Sequence, residues 1–122
     1  MRFTQDESPN VNVIRSYAPG ELRINDQVFR TTVIVASNAT RAAPSITNAA
    51  ELDAAHAALL LELRPEVVLI GTGQRQVFPA PAFGVRFLEA GIGFEAMDTG
   101  AACRTFNVLV SKQRLVVALL IV

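Results

Sequence analysis

Val67-Val68-Leu69-Ile70, halted by Gly71-Thr72-Gly73, is the stretch on which the fold turns. An unbroken apolar run rich in β-branched residues suits a strand covered on both faces, so this segment is expected at the centre of a sheet. The glycines after it permit a tight turn at the strand end. Upstream, Leu52, His56, Leu59, Leu60 and Leu63 share one helical stripe, with Thr47 or Asn48 available as a cap and Pro65 as a stop. Downstream, a second helix is expected between Pro81 and Glu89. Proline stands near its start, Phe83, Phe87 and Leu88 lie on one side, Gly91 follows it, and Gly84 weakens it.

Further along, Ile92 to Met97 reads as a strand, and Asp98 or Thr99 can cap a third helix whose apolar face is Ala102, Phe106, Leu109 and Val110. Leu115 to Val122 closes the chain as an apolar strand. It falls well short of the roughly 20 residues that cross a bilayer as a helix. The first third alternates instead. Val11, Val13 and the segment through Tyr17 precede a turn at Ala18-Pro19-Gly20, and Asn25-Asp26 separates Leu22 and Ile24 from Val28 and Phe29 as a hairpin turn. Thr31 to Val35 continues as strand, and Ser37 to Pro44 is expected to be a loop. The expected fold is α/β: an N-terminal antiparallel β-meander followed by αβαβαβ around a central mixed sheet, with residues 1–122 forming a single domain.

Composition narrows the function classes. Eleven basic residues balance eleven acidic ones, which removes the positive field that a phosphate backbone requires, so nucleic acid is not an expected partner. One cysteine, Cys103, and one histidine, His56, supply neither an internal disulfide nor a zinc set, and no metal or cofactor is expected. A lone thiol fits a reducing compartment. Met1-Arg2-Phe3-Thr4-Gln5-Asp6-Glu7 lacks the apolar run of a secretory signal, so the expected location is cytoplasmic without membrane insertion.

No acid, base and nucleophile set assembles from the sequence, and no catalytic residue is assigned. Asp98-Thr99-Gly100-Ala101 matches the motif around an aspartic protease's catalytic carboxylate, but it comes near the chain's end, with too few strands after it for the second wall of a cleft. A helix cap is the simpler reading of Asp98. Gly71-Thr72-Gly73 lacks the third glycine of a dinucleotide loop, since Gln76 stands there. One geometric expectation survives. If the strands ending at Ile70 and Met97 are parallel neighbours, the two glycine-bearing turns meet at the carboxyl edge where open α/β sheets bind ligands. A small-molecule or anion site is therefore drawn from Gly71, Thr72, Gly73, Arg75, Asp98, Thr99, Gly100 and Arg104. His56 on its leucine stripe and Cys103 beside Phe106 read first as structural residues, and Asn107, next to an otherwise apolar helix face, either hydrogen-bonds across to a loop or faces water.

Gly71-Thr72-Gly73, Gly91-Ile92-Gly93, Met97-Asp98-Thr99 with Ala102, Arg104 to Leu109, the closing Arg114 to Leu120, and Gly20 to Asn25 form a combined pattern spanning nearly the whole chain. It resembles the family of a mitochondrial respiratory complex I assembly factor, which also holds an adipogenesis-associated protein, an archaeal structural prototype and many bacterial proteins. The resemblance implies a three-layer α/β fold and, from the mitochondrial member, a non-catalytic role in assembling a multisubunit complex through protein partners. It carries over no catalytic residues. This sequence departs from the family where Lys112 replaces a common glutamate in the third helix's last turn. Three expectations follow: an interaction or assembly module, a small-molecule or anion binder with or without catalysis at the edge named above, and a self-associating homodimer, since 51% apolar residues leave room for a twofold patch.

Overall fold

A computed structural model describes residues 11–122, so the expectation about the first seven residues lies outside the described residues. A small antiparallel sheet comes first: β1 (Ile14–Ala18), β2 (Glu21–Ile24) and β3 (Gln27–Phe29), in the order β1-β2-β3. Asn25 takes the β2–β3 turn at φ 51°, the left-handed conformation that asparagine tolerates. The chain then runs through β4 (Val33–Ala36), β5 (Ala39–Ala42), α1 (Ala54–Leu61), β6 (Val67–Gly71), α2 (Pro81–Glu89), β7 (Gly93–Met97), α3 (Thr99–Ser111) and β8 (Val116–Leu120). Five of these strands form one mixed sheet ordered β5-β4-β8-β6-β7, in which β8 and β7 lie parallel to β6 while β4 runs antiparallel to β5 and β8.

The fold has three layers because β8 is apolar on both faces. Val116, Ala118 and Leu120 point toward α3 and the small sheet, and Val117 and Leu119 point toward α1 and α2. Period-two alternation thus serves two cores from one strand. On the α2 side, Phe87 stacks on Phe94 at 5.4 Å between ring centroids, and Phe83 meets both edge-on. Gly84 makes this contact fit: a Cβ there would stand 2.9 Å from the Phe94 ring. The residue that weakens the helix on propensity thereby lets the helix sit close to β7.

Three expectations are corrected. The sheet's middle position belongs to β8, with β6 beside it, because the C-terminal strand inserts between β4 and β6. Residues 37–44 are no simple loop: Ala39–Ala42 pairs with β4 as an outer strand, and since all four residues are exposed it carries no apolar alternation to read. The first helix also starts later. Asn48 caps only a 3-10 turn at Ala49–Glu51, Leu52 returns to extended backbone, and α1 begins behind Asp53, whose carboxylate accepts from the Ala55 and His56 amides. His56 completes a capping box through Nδ1, which accepts the Asp53 amide at 3.2 Å. Leu63 falls past the helix end and is 49% exposed.

Phe87→Ala should lower unfolding free energy by about 3–5 kcal/mol, because it removes a fully buried ring that two others pack upon. Urea denaturation, with the slope unchanged, measures it.

Candidate functional site

The strands β6 and β7 are parallel neighbours with Gly71 opposite Met97, so the two glycine-bearing turns do meet at one carboxyl edge. The meeting is closed by hydrogen bonds. Thr72 donates its amide to the Met97 carbonyl at 2.8 Å, and the Thr99 amide donates to the Gly73 carbonyl at 2.9 Å. The Thr99 hydroxyl, fully buried, accepts from the Gly73 amide at 2.8 Å and donates to the Ile121 carbonyl at 2.6 Å. Ile121 in turn donates its amide to the Gly71 carbonyl at 2.9 Å. Gly71 must lack a side chain, since a Cβ would approach Thr99 Oγ1 and Leu120 Cδ2 to 2.9 Å and the Thr99 backbone to 3.1 Å. Gly73 sits at φ +100°, which side-chain-bearing residues rarely adopt.

The remaining residues of the expected site divide. Asp98 caps α3 by accepting the Ala101 amide at 2.9 Å, while the Thr99 and Ala102 amides bond to carbonyls, so three donors of the first turn are already engaged. Thr72 folds its own loop: its hydroxyl donates to the Arg75 carbonyl and accepts the Val77 amide at 3.1 Å. Arg75 itself is exposed. Gly100 and Arg104 instead line a 240 Å³ cleft between β1 and α3 with Arg15, Ser16, Tyr17 and Cys103, a set that excludes Arg75. Thus the edge gathers Gly71, Thr72, Gly73, Asp98 and Thr99, while Gly100 and Arg104 face the cleft and Arg75 lies apart from it.

Two side chains of this region have roles that their sequence positions did not assign. Asn107 holds β1 as a peptide would: its Oδ1 accepts the Ile14 amide and its Nδ2 donates to the Ile14 carbonyl, both at 2.9 Å. Its place beside an apolar helix face was the available signal. Tyr17 reaches over Gly100, and its hydroxyl is shut from water with no hydrogen-bond partner among the described residues. Burial pushes the phenol above its ordinary value, with Cys103, where it ionises, and the Asp98 charge acting in the same sense; the Thr99 hydroxyl opposes them. Burial likewise pushes the Cys103 thiol up to about 12, Arg104 opposing and Asp98 adding, so it stays protonated and unreactive. A larger open cleft of 1350 Å³ is walled by Asn12, Asn25 and Asn107. Their amides are used internally, for Asn25 accepts from Val13 and donates to Asn12, which donates to the Ala36 and Ala39 carbonyls. No cluster of three or more His, Cys, Asp or Glu capable of holding a metal occurs among the described residues.

Against known proteins, residues 14–121 match the family described as "Protein of unknown function (DUF498/DUF598)". The chain belongs to that family. It is 31% identical over 96% of its length to the Danio rerio protein called NADH dehydrogenase [ubiquinone] 1 alpha subcomplex assembly factor 3, covering 68% of that protein. It is 28% identical over 99% of its length to the whole of a Francisella tularensis protein called 13 kDa major membrane protein. The solution structure of a Bordetella pertussis protein described as a Mth938-like domain superposes with a TM-score of 0.78 at 28% identity, covering 99% of this chain and 92% of that one. The three-layer fold and the resemblance carried by Gly71 to Gly73, Met97 to Thr99 and the last strand are therefore correct. No helix among the described residues is long and apolar enough to cross a membrane.

Thr99→Val should cost about 2–4 kcal/mol, because it orphans the Gly73 amide and the buried Ile121 carbonyl, whereas Thr99→Ser should cost about 1 kcal/mol for the lost methyl. Paired chemical denaturation curves read the difference. Because Cys103 holds its proton to about 12 when folded and titrates near 9.0 otherwise, the unfolded chain releases that proton first, and stability should fall as pH rises between those values. Cys103→Ala should flatten that fall in urea midpoints measured from pH 8 upward.

Proposed function

We infer that this chain is a non-catalytic protein-interaction domain of the assembly-factor kind. The observation that carries the reading is the 31% identity with the Danio rerio assembly factor, which runs through 96% of the chain and so includes the interior and both glycine-bearing turns. The closed carboxyl edge supports it, since Gly73 and Thr99 bond to each other, and Ile121 accepts from the Thr99 hydroxyl and donates its amide to the Gly71 carbonyl. On this reading the chain acts by its outer surface, in the cytoplasm, on protein partners. The Francisella relative's name puts that protein with membranes, and a peripheral contact with a membrane complex is compatible with both names.

A second reading is favoured by one observation: Tyr17, whose buried hydroxyl has no partner among the described residues, lines a cleft together with Arg15 and Arg104. There the chain would bind a small anion, and the residues used would be Gly100 and Arg104 of the expected set. The other members, Gly71, Thr72, Gly73, Arg75, Asp98 and Thr99, would support the cleft from behind.

Tagged full-length chain, recovered from a membrane extract of its native host, should enrich NADH dehydrogenase subunits over a tag-only control. Failure to enrich any of them in repeated recoveries would defeat the assembly reading. Stabilisation by phosphate or carboxylate metabolites that disappears in Arg104→Ala would instead favour the anion cleft. Sedimentation at several concentrations reads the homodimer directly.

A further inference from the structure

Among the described residues, the outer strand β5 leaves half of its backbone without a partner. It pairs with β4 through Val33↔Ala42, Ile34↔Arg41, Val35↔Thr40 and Ala36↔Ala39, and the ladder continues where the Ala43 amide donates to the Thr32 carbonyl at 2.7 Å. Bonded pairs alternate along an antiparallel ladder, so Arg41 and Ala39 bond inward with Ala43, and Thr40 and Ala42 turn their N–H and C=O outward. No described residue outside the ladder bonds those groups. All four residues are exposed, and the strand carries neither proline nor a bulge, two of the devices that blunt an edge.

A pocket lies beside this edge. It has a volume of 220 Å³ and is walled by Ile34 and Ala36 of β4, Leu59 of α1 and Leu63 just beyond that helix, with Arg41 and Glu62 as its charged lining residues. Ile34 belongs to the core on the α1 side of the sheet, and Arg41 stands opposite it, so Ala39 and Arg41 face α1 as well. A strand bonded to Thr40 and Ala42 would present every second side chain on that same side, above Leu59 and Leu63.

We propose that β5 takes an extended segment of a partner protein as a sixth strand, with one large apolar side chain of that segment seated in the pocket against Leu59 and Leu63. An open edge supplies backbone bonds and a neighbouring pocket supplies side-chain selection, the two components of strand-addition recognition. The proposal rests on the interaction reading and names its surface. The occupant is not a second copy. Antiparallel pairing of β5 with itself would bring only Ala39 and Arg41 to the α1 side, an undersized methyl and a guanidinium against leucines, and centring on Arg41 would set like charges face to face. The partner segment therefore bears Leu, Ile, Met or Phe at the pocket position.

The test uses the full chain and the partner recovered with it from native membrane extract. Amide exchange at Thr40 and Ala42 should slow by about tenfold or more in the isolated complex, and Thr40→Pro and Leu63→Lys should each weaken recovery by about tenfold. Leu63 is half exposed, so its variant folds even if Thr40→Pro does not. Undiminished recovery by both variants with unchanged exchange overturns the β5 proposal and leaves the interaction reading intact. Recovery of no partner by the unaltered chain overturns both. Self-association that Thr40→Pro abolishes, or slow Thr40 and Ala42 exchange in the isolated chain that deleting residues 1–10 releases, assigns the edge to another occupant and overturns the proposal.

Discussion

A single buried hydroxyl, that of Thr99, joins the ends of three strands. It takes the Gly73 amide that follows β6, gives its proton to the Ile121 carbonyl that follows β8, and stands at the start of α3 directly after β7. Gly71 exists in this form because the hydroxyl and the Leu120 side chain occupy the space its own side chain would need. The Ile121 carbonyl is withdrawn from water and the Gly73 amide partly so, and the joint replaces solvation that these chain ends would otherwise require. The three parallel strands keep their register at this end because of it.

That closure bears on function. Open α/β sheets bind ligands at the carboxyl ends of their strands when helix amides and glycine-rich turns point outward. Here the same parts point inward, and Asp98 puts a carboxylate on the first turn of α3. The groups left outward are elsewhere: backbone on the flank of the sheet at β5, an apolar recess next to α1, and a cleft between β1 and α3 with two arginines among its lining residues. Among the described residues, the outward backbone of β5 is what the fold leaves unpaired, and on our proposal that flank receives another chain.

Much of the architecture was legible in the sequence where side chains repeat with the period of the element. α2 emerges at its observed limits because Pro81 and Gly91 punctuate it, and β6 and β8 stand out as continuous apolar runs buried from both sides. Where the periodic signal is missing, the reading fails. β5 has four exposed residues and is held through its backbone, by the ladder to β4 and the Asn12 amide at Ala39. The expectation that Thr47 or Asn48 caps the first helix fails for another reason, since Asn48 does cap a single turn, and only the extended Leu52 separates that turn from the helix behind Asp53. The convergence of Gly71-Thr72-Gly73 with Asp98-Thr99-Gly100 follows from two strand–helix units in series and was visible in advance. Its closure was not, because Gly73 and Ile121 reach Thr99 only across the fold. Tyr17 and Asn107 depend likewise on β1 lying against α3, a contact that no local pattern encodes.

The claim that the carboxyl edge is a closed joint is tested most directly by hydrogen exchange at the Gly73 amide. This group follows a strand end in a glycine-bearing turn, where an open loop would exchange rapidly. The account predicts that Gly73 exchanges as slowly as the β8 amides and becomes fast in Thr99→Val while the β8 core stays protected. Rapid Gly73 exchange in the unaltered protein would contradict it and return the edge to solvent.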